Sequence, residues 1–459
     1  MDDPGRDRQS KVARWRRRLR TEATTRRVVF GVLILVLALP SAIGVATHAS
    51  PTGGEASAVD SDRITFVSTQ GTSTRTGAGV YAITTDSKDV VWSNTDCPHK
   101  CYDVDPVTND TVLFVGKSKA GKPWNITNSS TYNWKAAHVN WRTGDVIAQF
   151  SVPIDTHDVD YIGDGQYVVA NKVNHDGAEA KWVNEAKRQG WIDSNRSTHS
   201  HLLYVYDRNR DDIVWEYRFA NHYPRSAGDG YENDYTHVND VDLVQNGSAF
   251  LVSPREFDRV LLINRTTKET EWELGAEDEY DILHEQHNPV LLSSDPPTVL
   301  VADSENDRIV EYQRVDGEWE RIWTYADGLN WPRDADRLPN GNTLIVDSSN
   351  DRVLEVTPAG DVVWEYDIQR TPYDIERVRY GDEPQGPPMS DIEGAPTRAV
   401  TGDKESQSAL GMAFREYYTL AQWVLPPGVN IVGFVSLHGV VLGGLVWARF
   451  EWLAFRRER

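Results

Sequence analysis

Five short segments of this 459-residue chain set a side chain suited to acid–base or anion chemistry at a matching place beside an aspartate or asparagine. They are Tyr102-Asp103-Val104-Asp105, His157-Asp158-Val159-Asp160, Asn239-Asp240-Val241-Asp242, Gln286-His287-Asn288-Pro289 and Arg333-Asp334-Ala335-Asp336. His237 lies two residues before Asn239. If each segment opens one unit of a repeat, Tyr102, His157, His237, His287 and Arg333 converge on one mouth of a central channel. A ring of histidine and arginine in an acidic protein suits an anion, with imidazole able to move a proton near neutral pH. The first aspartates read as structural, because an acid at a repeated strand start caps a turn or bonds neighbouring backbone.

Other candidates fall to simpler readings. Asp303, Glu305 and Asp307 imitate the start of a calcium loop, but Arg308 stands where glycine is needed and Arg314 where the final glutamate belongs. The Asp-Arg pair recurs at 258–259, 307–308 and 351–352, so Arg259 and Arg352 read as structural. His284 and His287 have helical spacing inside a strand region, which does not make a zinc pair. His175, His199, His201 and His222 fall in loops or an insertion and read as solvated; His438 lies in an apolar run, where a bundle contact is expected. The two cysteines, Cys97 and Cys101, have only His99 nearby and are expected to form a local disulfide outside the cell. No metal and no cofactor is expected.

The elements that position these residues are repeated strands. A token of two apolar residues and a large aromatic recurs at Val90-Val91-Trp92, Ile213-Val214-Trp215, Ile322-Trp323 and Val362-Val363-Trp364, with variants at 146–150 and 270–274. In Trp215, Tyr217 and Phe219 aromatics alternate with Glu216 and Arg218, the period-two pattern of a half-buried strand. Turns such as Gln245-Asn246-Gly247 and Pro339-Asn340-Gly341 punctuate the strands. Six hairpin-rich units over residues 60–366 predict an all-β, six-bladed β-propeller. Lys172 to Ser200 reads as an inserted loop, and residues 367–425 as a Pro-, Gly- and acid-rich linker followed by an interfacial aromatic segment.

The two ends carry apolar runs free of charge, residues 28–46 and 429–448, each long enough for one transmembrane helix. Arginine-rich segments, 1–27 and 449–459, flank them on the outer sides, which predicts a two-pass cell-membrane protein with both termini cytoplasmic and the propeller outside. A cleaved signal peptide is the competing reading of the first run. The net charge is −21; the first 27 residues carry +6 and the last eleven +2, which leaves about −29 between. That sign excludes nucleic acid as a partner, and it suits molar salt, where charges are screened within roughly 3 Å. Sequons at Asn109, Asn125, Asn128, Asn195, Asn246 and Asn264 fit an exposed glycoprotein surface.

Three pieces between His157 and Tyr366 resemble the arylsulfotransferase family, here in a haloarchaeal membrane-anchored type. They are Thr236-His237-Val238-Asn239-Asp240-Val241 with Ser253-Pro254-Arg255, then Gln286-His287, then the Asp303–Arg308 run. The resemblance implies a six-bladed propeller that moves a sulfuryl group from an aryl sulfate to a phenolic or sugar hydroxyl without a nucleotide. It assigns His237, His287 and Arg308 to catalysis; His157, Arg255 and Arg333 are expected to bind substrate. The family's later nucleophilic histidine has no counterpart: the region reads Asn330-Trp331-Pro332-Arg333-Asp334, and no histidine lies between His287 and His438. The Asp-Ser-x-Asn-Asp-Arg runs equally resemble NHL-type propellers, whose counterpart function is non-catalytic binding of a surface partner or anionic glycan.

Overall fold

The computed structural model describes residues 27–38, 59–71, 78–97, 100–117, 134–152, 156–172, 201–230, 234–368, 370–383, 385–395, 399–401, 417, 421 and 431–458. The chain forms two compact units. One is built from Met1–Ala49 and Leu420–Arg459, the other from Ser50–Thr419.

The larger unit is mostly β. Its strands form one eight-stranded sheet, three four-stranded sheets and one five-stranded sheet. Most strands pair antiparallel with a sequence neighbour. The eight-stranded sheet is continuous between its halves only through Gln70 opposite Lys100. Six strands, Lys100–Thr108, Asp158–Gly163, Val238–Val244, His287–Ser294, Pro332–Arg337 and Thr371–Arg377, lie beside one another in chain order, and the last returns to the first.

Residues from 371 to 377 were expected to be linker. They are instead a fully buried strand that pairs antiparallel with Ile64–Gln70, so the two ends of the unit share one sheet. The physical reason is in Tyr373-Asp374-Ile375-Glu376, which repeats the pattern of the other five strands while the residues after it carry the Pro and Gly signal. Farther on, Ala399–Thr401 adds a parallel strand to Glu318–Tyr325.

The core lies between sheets. Val205 and Tyr217 share a cluster with Phe250 and Leu261, Leu251 and Trp272 with Val301 and Tyr312, and Val67 and Tyr81 with Leu344 and Val346. The tryptophans of the repeated token tie neighbouring sheets: Trp215 Nε1 donates to Arg265 O at 2.8 Å, Trp323 to Pro358 O at 3.1 Å and Trp364 to Thr85 O at 2.6 Å. The indole buries its body and must place its one donor, so a repeated tryptophan specifies a repeated strap. Cys97 and Cys101, both buried, are joined by a disulfide with Cα atoms 5.6 Å apart.

In the smaller unit two helices are described, α1 (Arg27–Ala38) and α2 (Ile431–Glu458). Within α2, Gly433–Leu453 is long and apolar enough to cross a membrane; α1 is apolar but shorter, and the rest of the expected 28–46 span lies outside the described residues. The helices pack antiparallel. Arg27 reaches Glu451 at 3.4 Å and Phe30 stacks on Trp447, while Leu37 lies against Gly439 and Gly443 at the other end. A Cβ on Gly439 would meet Leu37 at 3.2 Å, so this small-xxx-small pair sets how closely the helices approach.

Candidate functional site

Four of the innermost strands are irregular near where they begin. Register shifts fall between Cys101 and Val104, Val238 and Asp240, His287 and Val290, and Pro332 and Asp334. A bulge re-aims a side chain, so that consecutive residues serve one side instead of alternating. The residues at these places also strain the backbone: His237, Glu285, Asn288 and Trp331 all have positive φ, between 35° and 55°, without being glycine. Such conformations cost of order 1–3 kcal/mol each and persist only where surrounding structure holds them.

The result is a buried group of rings and cations. Tyr102 stacks on His157 at 4.1 Å and meets Tyr373 edge-on at 4.9 Å. His157 lies edge-on to His237 at 4.9 Å, and Tyr373 is 6.1 Å from His287. The Arg333 guanidinium sits 4.0 Å from the Trp331 ring centre and 5.0 Å from that of Tyr373. Its Nε and Nη1 have no hydrogen-bond partner, although the residue is only 5% exposed. Burial pushes Arg333 down to about 10, against the pull of Tyr373 and Tyr102.

The two histidines are held differently. His237 Nδ1 lies 2.6 Å from Asp234 Oδ2, and Lys172 Nζ donates to the same carboxylate at 2.7 Å. Glu256 is 3.6 Å from His237 and also binds Arg255. Burial pushes Glu256 up to about 7, with Arg255 pulling the other way. His287 Nδ1 is 2.8 Å from Ser304 Oγ and 3.2 Å from the Glu285 carbonyl. A carbonyl only accepts, so the proton sits on Nδ1 and the Nε2 lone pair is left available. Burial holds His287 well below the usual histidine range, and Arg333, Arg255, His237 and His157 add to the effect.

The structure thus brings together Tyr102, His157, His237, His287, Arg255 and Arg333. Arg308 is not among them. Its Nε donates to Asp303 Oδ2 at 2.6 Å and its Nη2 to the Asp281 and Ile282 carbonyls, the same brace that Arg352 makes to Asp347 at 2.7 Å. The turn before each arginine puts Asp307 or Asp351 in the left-handed region, and the arginine closes it. Arg308, expected to be catalytic, makes this bracing contact in the structure. His201, expected to be solvated, is buried with Nδ1 3.1 Å from Thr236 Oγ1. Lys172, Asp234, Glu256 and Tyr373 escaped the sequence reading; only Tyr373 carried a signal, its place before Asp374-Ile375-Glu376.

One residue farther along the same strands the chemistry reverses. Asp103 accepts from Val159 N at 3.1 Å, Asp158 from Val241 N, Asp334 from Ile375 N at 3.0 Å and Asp374 from Val104 N at 2.7 Å. Each carboxylate binds the next strand's backbone, the structural use expected for these aspartates. Asp240 holds the matching place, but the corresponding residue of the next strand is Pro289, which has no N–H, and the Asp240 Oδ2 has no hydrogen-bond partner. Two residues beyond come Asp105, Asp160, Asp242, Asp336 and Glu376. A cavity of about 30 Å³ is lined by eleven carboxylates with Asn288, Pro289 and Val290, and no basic residue lines it.

Three groups offer ligand atoms within 4.8 Å of one another: Asp234–His237–Glu256, Asp103–Asp105–Asp160 and Asp334–Asp336–Glu376. In the first, Lys172 already supplies a cation to Asp234.

No curated protein matches the chain. Solved structures similar to it include a protein of unknown function from Bacteroides caccae, at 13% identity and TM-score 0.45, covering 68% of this chain and 98% of that one. A putative 6-phosphogluconolactonase from Bacteroides uniformis covers 68% and 98%, at 12% identity and TM-score 0.41. The beta-propeller domain of Cps50 (Swd1) from Myceliophteria thermophila covers 70% and 89%, at 10% identity and TM-score 0.39. Residues 103–320, which hold His157, His237, His287 and Arg255, match the family described as Arylsulfotransferase (ASST).

Proposed function

We propose that the chain is an arylsulfotransferase-like enzyme, moving a sulfuryl group from an aryl sulfate to a phenolic or sugar hydroxyl. The observation that carries this reading is Arg333: a buried guanidinium with Nε and Nη1 unpartnered, in the same group of rings as His287 and His237. A guanidinium fork matches sulfuryl oxygens, and a buried cation without a carboxylate is prepared for an anion to arrive. In the proposed reaction Nε2 of neutral His287 attacks sulfur, and the bond from sulfur to the aryl oxygen breaks. His237, held beside Asp234 and Lys172, gives a proton to the departing phenolate. The acceptor hydroxyl then attacks sulfur, its proton passes to His237, and the nitrogen–sulfur bond breaks to restore His287. Arg333 stabilises the sulfuryl oxygens in both steps. His287 takes the nucleophilic part that the family gives to a histidine one repeat later.

The reading extends to architecture. Division of the eight-stranded sheet at its one-pair junction yields six units around the inner strands, five of four strands and one of five, which supports a six-bladed propeller. The antiparallel packing of α1 on α2 brings Arg27 beside Glu451, which supports two spans with both basic ends on one side of the membrane. The propeller then faces outward, and its charge of about −29 suits molar salt.

The test is turnover of a chromogenic aryl sulfate with a phenol acceptor, using the purified full chain in molar salt. We expect a labelled sulfuryl group to be trapped on wild-type protein and not on His287→Ala. Turnover that survives both His287→Ala and His237→Ala would put the site elsewhere. Binding of aryl sulfate without turnover across several donors and acceptors would make the chain a binder.

A further inference from the structure

We propose that the carboxylate layer behind the histidine group is a binding site for a hard divalent cation of the calcium type. The inference is independent of sulfuryl transfer. Its first support is geometric: Asp334, Asp336 and Glu376 place oxygens within 4.8 Å of one another, as do Asp103, Asp105 and Asp160. All of them are more than nine-tenths buried.

The second support is that several of these carboxyls leave an oxygen without a partner outside the layer. Asp105 Oδ2, Asp240 Oδ2, Asp336 Oδ2 and Glu376 Oε2 are buried without a hydrogen-bond partner, and Asp240, Asp336 and Glu376 line the cavity. Leaving a buried acceptor unsatisfied costs about 1–3 kcal/mol, more when it is charged. For Asp240 the cause is explicit. Its neighbours in the layer spend one oxygen on the next strand's N–H, while the corresponding residue of the strand after Asp240 is Pro289. Structural duty therefore accounts for Asp103, Asp158, Asp334 and Asp374, and leaves the second layer unexplained.

The donors select the ion. Every polar group on the cavity wall is a carboxylate or the amide of Asn288, with no thiolate and no imidazole, and oxygen-only sites suit calcium or magnesium. Flexible spacing among many carboxylates favours the larger ion, which takes 6–8 oxygens.

The experiment uses the full chain in detergent, stripped with a chelator and dialysed against calcium or magnesium chloride at constant ionic strength. We expect at least one calcium retained per chain by mass spectrometry, and a thermal midpoint raised by about 5 °C or more at millimolar calcium. In Asp336→Asn we expect retention to fall at least tenfold and the calcium-induced shift to vanish. In chelator the same variant should be at least as stable as wild type, because one repelling charge is gone. Aspartates on the surface, tested as Asp316→Asn, should leave retention unchanged. No retained divalent ion in wild type, or a midpoint that rises equally with matched sodium chloride, would overturn the site. So would an Asp336→Asn chain that is destabilised equally with and without calcium, since that marks a purely structural carboxylate.

Discussion

Two layers stand one residue apart at Tyr102–Asp103, His157–Asp158, Arg333–Asp334 and Tyr373–Asp374, yet their electrostatics are opposite. In the outer layer stand Tyr102, His157, His287, Arg333 and Tyr373, and the unpartnered atoms belong to a cation, Arg333. In the inner layers stand the aspartates and Glu376, and the unpartnered atoms belong to anions. The bulges that open the strands allow both layers to face one channel. The comparison teaches that a repeat can supply two different ligand sites from neighbouring positions, provided the strand breaks its alternation between them. It also says that buried charge left unpaired is informative only when the fold does not already employ it. Asp158 and Asp334 are buried, but they hold backbone amides; Arg333 Nε and Asp336 Oδ2 hold nothing.

The largest effect should come from removing the proposed nucleophile in the outer layer. His287→Ala should lower kcat/KM for aryl sulfate by about 10³-fold or more, with the folded midpoint nearly unchanged. Equal activity in the variant would end the assignment of the outer layer. Next, Arg333→Met should lower kcat by about 10²–10³-fold, the usual loss for one electrostatic donor, while Arg333→Lys recovers only part, because ammonium lacks the planar fork. Full recovery by lysine would show that charge alone matters there.

The inner layer should govern stability against pH. Burial raises Asp334 to about 6 and Asp382 to about 7, each with neighbouring carboxylates, so in the folded chain protons are held that the unfolded chain has released. Stability from this layer is therefore greatest below the ordinary aspartate range and falls as pH rises through about 6 to 7. Thermal midpoints in chelator should decline across that window, and calcium should flatten the decline. A midpoint independent of pH in chelator would break the contrast between the layers. The smallest effect on activity is expected at Arg308. Because it braces Asp303 outside the channel, Arg308→Ala should leave kcat/KM within about twofold and lower the midpoint, at a cost of about 1–3 kcal/mol for the uncovered carboxylate. A tenfold activity loss in a stable Arg308→Ala chain would restore it to the site.

How much of this was legible beforehand varied with how local the cause is. The strands were legible because Ile213-Val214-Trp215-Glu216-Tyr217 alternates on its own, whatever lies beside it. The convergence of Tyr102, His157, His237, His287 and Arg333 was legible because equal places in a repeat become equal places in space. The Asp303–Arg308 and Asp347–Arg352 runs showed by their repetition that the arginine belongs to a turn, a hint stronger than the likeness that assigned Arg308 to chemistry. Thr371–Arg377 was missed since its pairing partner, Ile64–Gln70, lies some three hundred residues earlier and its composition resembles the loop that follows.

The sequence by itself determined the alternation of strands and turns, the two apolar ends, the charge, and the repeated placement of histidine, arginine and aspartate. Each of these is a property of residue type and spacing within a few positions. Tertiary structure alone decided that Lys172 and Asp234 hold His237, that Ser304 and Glu285 fix the proton of His287, and that Asp240 Oδ2 has no hydrogen-bond partner. These outcomes depend on which strand lies next to which and on where a buried polar atom finds its partner. No spacing along the chain encodes that, because the partner arrives from another sheet, and burial then makes its presence or absence cost energy.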